Sequence, residues 1–205
     1  PLEHWTPVHL HLATADVMAR VATVKGVAIA PGTSAQAQLV LEQPVAALNG
    51  DRFILRDQSA ARTLGGGAVI DPLAQVSRRA SPARIAALTA LELGAPEAAL
   101  AALLQIQGQA VECARFEVMF NLSASRAASI YQSSEASILG REQRVAVARA
   151  GATALREGML ARLAEFHRAQ PQAPGIDVQV LRKELAPWLN ADAFSFLVRG
   201  LADAR

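Results

Sequence analysis

The chain has 205 residues, a formal net charge of +2 and one cysteine, Cys113. A single cysteine excludes an internal disulfide and fits a reducing compartment. No apolar run approaches the roughly 18 residues of a membrane span, and Pro1-Leu2-Glu3-His4-Trp5 is no signal peptide, so a cytoplasmic protein with no membrane partner is expected. Hydrophobic residues make up 52% of the chain but aromatics only 4%, which favours helices packed through small side chains. All of the 20 cations except Lys25 and Lys183 are arginine. Arginine grips phosphate with a planar fork, but a GC-rich genome gives the same bias, so charge does not choose between them.

The first segments read as β-structure. In Val8 to Leu12, Val8, Leu10 and Leu12 share one face while His9 and His11 share the other. Val17 to Val24 is a second strand, and Ala35 to Glu42 a third, with Ala37, Leu39 and Leu41 on one side. Asn49-Gly50-Asp51 marks a turn, since Asn and Gly both tolerate positive φ. Five or six short strands at this spacing predict a small antiparallel barrel or sandwich. The His9/His11 pair has a spacing zinc can use, but no third ligand stands at a recognisable distance, so a solvated or hydrogen-bonded pair is expected and no metal.

Asp51 to Pro72 reads as two strands on a polar turn, then Gly65-Gly66-Gly67, then a short apolar strand. Phe53 and Leu55 point to the core, with Arg52 and Arg56 on the opposite face. The glycines are not a phosphate loop. GxxxxGK[ST] is absent from the whole chain, and a dinucleotide fingerprint would open a helix, whereas these residues run into Ala68-Val69-Ile70. A bulge or close strand crossing is expected instead, and with it no nucleotide-hydrolysing site.

Three ordered blocks, HLHLATADVMARV, APGTSAQAQLVLEQPV and GDRFILRDQSAARTLGGGAVIDP, resemble the third domain of bacterial selenocysteine-specific elongation factors. The resemblance implies a β-barrel like the third domain of elongation factor Tu, one that helps to hold aminoacylated tRNA. Relative to that family this chain lacks the GTPase and second domains, and begins after the barrel's first strand.

Residues 76 to 205 read as helices. Ser81-Pro82 starts one that stops at Gly94. Pro96 opens the next, with Leu100, Leu103 and Leu104 on one face, and Phe116, Met119 and Phe120 mark another. Cys113 is expected as a buried apolar residue. Ser123 caps a short helix to about Gln132, with Ala127, Ile130 and Tyr131 inward and Ser125, Arg126 and Ser129 outward. Strands at Ala136 to Leu139 and Val145 to Ala148 follow, joined by Gly140-Arg141-Glu142-Gln143. Three helices and a hairpin give the order of a winged helix. Its nucleic-acid candidates are Arg126 on the recognition-type helix and Arg141 and Arg144 on the wing. A second three-helix pattern spans Ala152 to Ala169, Val178 to Leu185 and Phe194 to Leu201, and stops at Arg205 where a wing should begin. FHRAQPQAPGI resembles the corresponding join in the selenocysteine factors, whose C-terminal extension is a row of winged helices.

The expected organisation is a barrel at 1–75, a connecting helix at 76–94, a winged helix at 95–150 and an unfinished one at 151–205. The resemblance implies part of a factor that delivers selenocysteyl-tRNA to the ribosome at UGA codons. In the intact protein it implies GTP and Mg as cofactors, with none in this chain. A winged helix not present here would bind the mRNA selenocysteine insertion hairpin. The barrel would face tRNA, with Arg52, Arg56 and Arg62 as contact candidates, and the helices would be a spacer. Two other classes fit the residues alone: a winged-helix DNA-binding regulator, and a structural or protein-interaction module.

Overall fold

The structure is a computed structural model and describes residues 1–74, 81–106, 108 and 110–203. The expected boundary between residues 75 and 76 lies outside the described residues. Contacts divide the chain into two compact units, residues 1–95 with 119–121, and residues 96–118 with 122–205.

The first unit is built on an antiparallel sheet of five strands: β1 (Thr6–Leu12), β2 (Ala15–Thr23), β3 (Ala37–Leu41), β4 (Arg52–Arg56) and β5 (Thr63–Ala68). Their order is β3-β2-β1-β4-β5, so β3 and β5 are its edges. Period-two alternation decides the faces. Val8, Leu10, Leu12, Ala19, Val21 and Leu55 form the buried cluster, with Leu39, Leu41, Phe53 and Leu64 packed against it. Burying each such side chain contributes roughly 1.5–3 kcal/mol. The chain turns at Ala13-Thr14, so β2 starts at Ala15, two residues before the expected Val17, and Leu12 pairs with Ala15. An apolar cleft of about 1490 Å³ lies along the core face, lined in part by Leu10, Leu12, Leu39, Leu41, Phe53 and Leu55.

The glycines fall inside β5 rather than between two strands. Gly65, Gly66 and Gly67 pair with Leu55, Ile54 and Phe53, and the register shifts between Leu55 and Arg56. A Cβ on Gly66 would lie 2.6 Å from the Phe53 carbonyl oxygen, and one on Gly67 would lie 2.7 Å from the Phe53 ring. Gly66 and Gly67 let β5 close onto Phe53. Helix α1 (Pro82–Leu91) has Ser81 at its N-cap, its hydroxyl accepting from the Arg84 N–H at 3.3 Å. The same unit holds this helix through Arg84 and Asp71, 2.7 Å apart, with the Asp71 side chain only 2% exposed. Asn49 adds bonds from its amide to the carbonyls of Ile70 and Leu91.

The second unit contains α2 (Pro96–Leu104), β6 (Val111–Glu112), α3 (Cys113–Met119), α4 (Ala124–Ser133), β7 (Ala136–Leu139), β8 (Val145–Ala148), α5 (Arg149–Ala169), α6 (Val178–Leu185) and α7 (Ala191–Asp203). Strands β6, β8 and β7 form a three-stranded antiparallel sheet in that order. Helices α2 to α4 with this sheet make a winged helix, so the fold is a barrel-like β domain followed by winged-helix structure. Strand β6 left no sign in the sequence, because two residues carry no period; β8 recruits them as a third strand. Cys113 is fully buried as the first residue of α3. Burial pushes its thiol pKa up.

One buried cluster joins Leu139, Val145 and Val147 of the wing to Met159, Leu181, Phe194 and Leu197. The hydrophobic core therefore runs without a break across residue 150.

Candidate nucleic-acid interface

The cross-strand register collects polar residues on the outer face of the barrel sheet. His9 lies opposite Met18 on β2 and Arg56 on β4; His11 lies opposite Asp16 and Ile54; Arg20 lies opposite Pro7. Arg52, Ile54 and Arg56 share this face because they alternate with Phe53 and Leu55, and all three are exposed. Ile54 is 50% exposed in the middle of the array. The face thus carries Arg20, Arg52 and Arg56 beside two imidazoles, with an apolar centre.

His9 is oriented by its neighbour. Its Nδ1–H donates to Asp16 Oδ1 at 3.0 Å, and His11 Nδ1 lies 3.9 Å from the same oxygen. The His9 hydrogen bond holds the Asp16 carboxyl below its ordinary pKa, aided by the charges of His11, His9 and Arg56. The pair is hydrogen-bonded, and no cluster of three metal-ligating side chains occurs among the described residues. With Nδ1–H held on a carboxylate, Nε2 is the free acceptor nitrogen of a neutral His9 ring. The sequence pointed to the histidines but not to Asp16, which a two-residue hairpin turn after Leu12 would have placed opposite His11.

Arg62 closes the β4–β5 turn, with its backbone N–H donating to Asp57 Oδ1 at 3.2 Å and its side chain exposed. That bond, with those from Ser59 and Ala61, lowers the Asp57 pKa. Arg56 Nη1 donates to the Ala60 carbonyl at 3.1 Å, so Arg56 and Arg62 stand at the same end of the hairpin. Arg52 is four residues back along β4, about 13 Å away.

The winged-helix candidates sit differently. Ser123 caps α4, accepting from Arg126 N–H at 3.3 Å, and Ala127, Ile130 and Tyr131 are buried. Arg126 pairs with Glu97. Arg144 reaches Glu117 at 3.3 Å, and Glu117 also accepts from the Tyr131 hydroxyl at 3.1 Å. Burial pushes the Tyr131 pKa up. Arg141 is exposed, but its backbone N–H donates to Asp192 at 2.8 Å. Two of the three arginines thus stand in ion pairs with acids of α2 and α3, while Arg141 is exposed. An exposed ion pair is worth only about 0.2–1 kcal/mol, yet a phosphate must compete with it.

Gly65–Gly67 lies in the β4–β5 ladder with Phe53 against it, and runs directly into Ala68-Val69-Ile70 rather than into a lysine.

Residues 1–76 match the family described as selenocysteine-specific elongation factor, beta-barrel domain. Residues 160–205 match the family described as elongation factor SelB, winged helix. The chain is 26% identical over 211 residues to a selenocysteine-specific elongation factor from Desulfomicrobium baculatum, covering 98% of this chain and 32% of that protein. It is 36% identical over 70 residues to the protein of that name from Escherichia coli strain K12, covering 34% of this chain and 10% of the relative. The chain thus spans about a third of the length of the first relative and a tenth of the second.

Proposed function

We propose, on the premise that this chain carries the β-barrel and winged-helix domains of the selenocysteine-specific elongation factor family, that it is the tRNA-facing barrel and winged-helix spacer of such a factor. The whole protein would deliver selenocysteyl-tRNA to the ribosome at UGA codons with GTP and Mg bound outside these residues. The mRNA hairpin would be read by a further winged helix. The names of the relatives support that assignment of the whole.

The observation that carries the division of labour is the contrast between the two sets of arginines. On the barrel, Arg20 and Arg52 have no ion-pair partner among the described residues, and Arg56 bonds a carbonyl rather than a carboxylate. On the winged helix, Arg126 and Arg144 are paired with Glu97 and Glu117. A backbone-tracking face needs cations free to exchange counterions for phosphates. The barrel face meets that condition, and Ile54 adds a contact surface at its centre.

Two double variants separate the faces. R52Q/R56Q is expected to weaken binding of selenocysteine tRNA and to lower the salt slope by about 2, one per lost phosphate contact. R126Q/R144Q should leave both nearly unchanged. The reverse pattern in a filter-binding titration would move the RNA face to the winged helix.

A further inference from the structure

The wing loop of the helical unit binds an anion that belongs to the protein itself. The backbone N–H groups of Arg141, Glu142 and Gln143 donate to one oxygen, Asp192 Oδ2, at 2.8, 2.9 and 3.0 Å. Gly140 precedes them at φ +92°, and a Cβ there would stand 2.9 Å from that same oxygen. Successive amides converging on one point form a concave oxyanion site of the kind that takes phosphate or carboxylate. The charge sits comfortably in it: the Gln143 and Arg141 N–H bonds lower the Asp192 pKa, with help from Arg199.

The neighbouring residue works with it. Asn190 donates from Nδ2 to the Gln143 carbonyl at 3.0 Å, and its Oδ1 accepts from the Ala193 N–H at 2.8 Å. Residues 190 and 192 thus engage both the donors and the last acceptor of the loop. Beneath them, Leu139 and Val145 at the two strand ends share a buried cluster with Ala193, Phe194 and Leu197 of α7.

We propose that the 140–143 loop is an oxyanion nest whose resident ligand is the Asp192 carboxylate, and that this internal ligand holds the wing against α7 and withholds it from nucleic-acid phosphate. A winged helix normally presents this hairpin to a backbone. Here the amides that would receive the phosphate are already filled from 49 residues downstream of Gln143. The inference goes beyond the functional reading above and does not depend on it.

The test is amide hydrogen exchange on the full chain, with and without inorganic sulfate as the anion probe. In the unsubstituted protein the amides of residues 141–143 are expected to be protected and indifferent to sulfate. Asp192→Ala should raise their exchange about tenfold or more, since a charge-assisted bond is lost at each. Protection of the β7–β8 ladder should persist, and sulfate should restore protection at 141–143 in the variant alone. Unchanged exchange in the variant would overturn the latch. No effect of sulfate on the variant, or an equal effect on both proteins, would overturn the nest. Should Asp192→Ala fail to fold, Asp192→Asn keeps the shape and removes the charge: a smaller acceleration, reversed by sulfate, is expected, and unchanged exchange would sink the proposal.

Discussion

At the scale of single residues, three consecutive glycines separate the roles that look alike in sequence. A Cβ on Gly66 would meet backbone and one on Gly67 an aromatic ring, whereas Gly65 has nothing within 4 Å. Gly66→Ala is therefore expected to cost most, about 1–3 kcal/mol as for other overpacked sites. Gly67→Ala should cost less because the Phe53 ring can rotate, and Gly65→Ala should be nearly neutral. Urea melts of the three variants check the order, and equal costs would contradict it. Asp192 gives a pH signature at the same scale. Its folded pKa is depressed below the ordinary 3.8, so its contribution to stability is complete above that pH and is lost as pH falls through the lower folded value. Asp192→Asn should flatten the stability profile below about pH 4; a variant as acid-sensitive as the parent would show that the bonds carry no folding energy. Cys113, fully buried with a raised pKa, should resist iodoacetamide in the native protein and react on unfolding, as mass spectrometry can follow. Rapid native labelling would contradict the burial.

At the scale of elements, what could be read from sequence was whatever has a period or a cap. Val8-Leu10-Leu12 against His9-His11, Phe53 and Leu55 inward, Ser81 and Ser123 as N-caps, and the β7–β8 hairpin are local patterns, and the structure reproduces them. The failures are of another kind. Strand β6 is two residues long and exists only because β8 supplies its partner. Asp16 and Asp192 find their roles through register and tertiary packing, across 7 and about 50 residues of chain. The pairing of Arg126 and Arg144 with acids of α2 and α3 is equally non-local. A measurable consequence belongs here too. Since the buried cluster runs from Leu139 to Leu197, Phe194→Ala should cost about 3–5 kcal/mol and lower the melting of the wing and of α5–α7 together. Loss confined to α7 in exchange-resolved melting would mean that the two segments fold separately.

At the scale of the molecule, the resemblance to selenocysteine-specific elongation factors was legible because three ordered sequence blocks fall on the strands of one sheet. The chemistry of an interface was less legible, since it depends on which cations are left unpaired after folding. The proposed RNA face is the barrel sheet's outer face, which carries Arg20, Arg52 and Arg56 with His9 and Ile54. The most direct test is a salt titration of the chain's binding to selenocysteine tRNA, an elongator tRNA, the mRNA insertion hairpin and duplex DNA. The account predicts weak tRNA binding that falls steeply with salt and shows no preference for the hairpin or for any duplex sequence. Tight hairpin binding, or sequence-selective duplex binding, would contradict it.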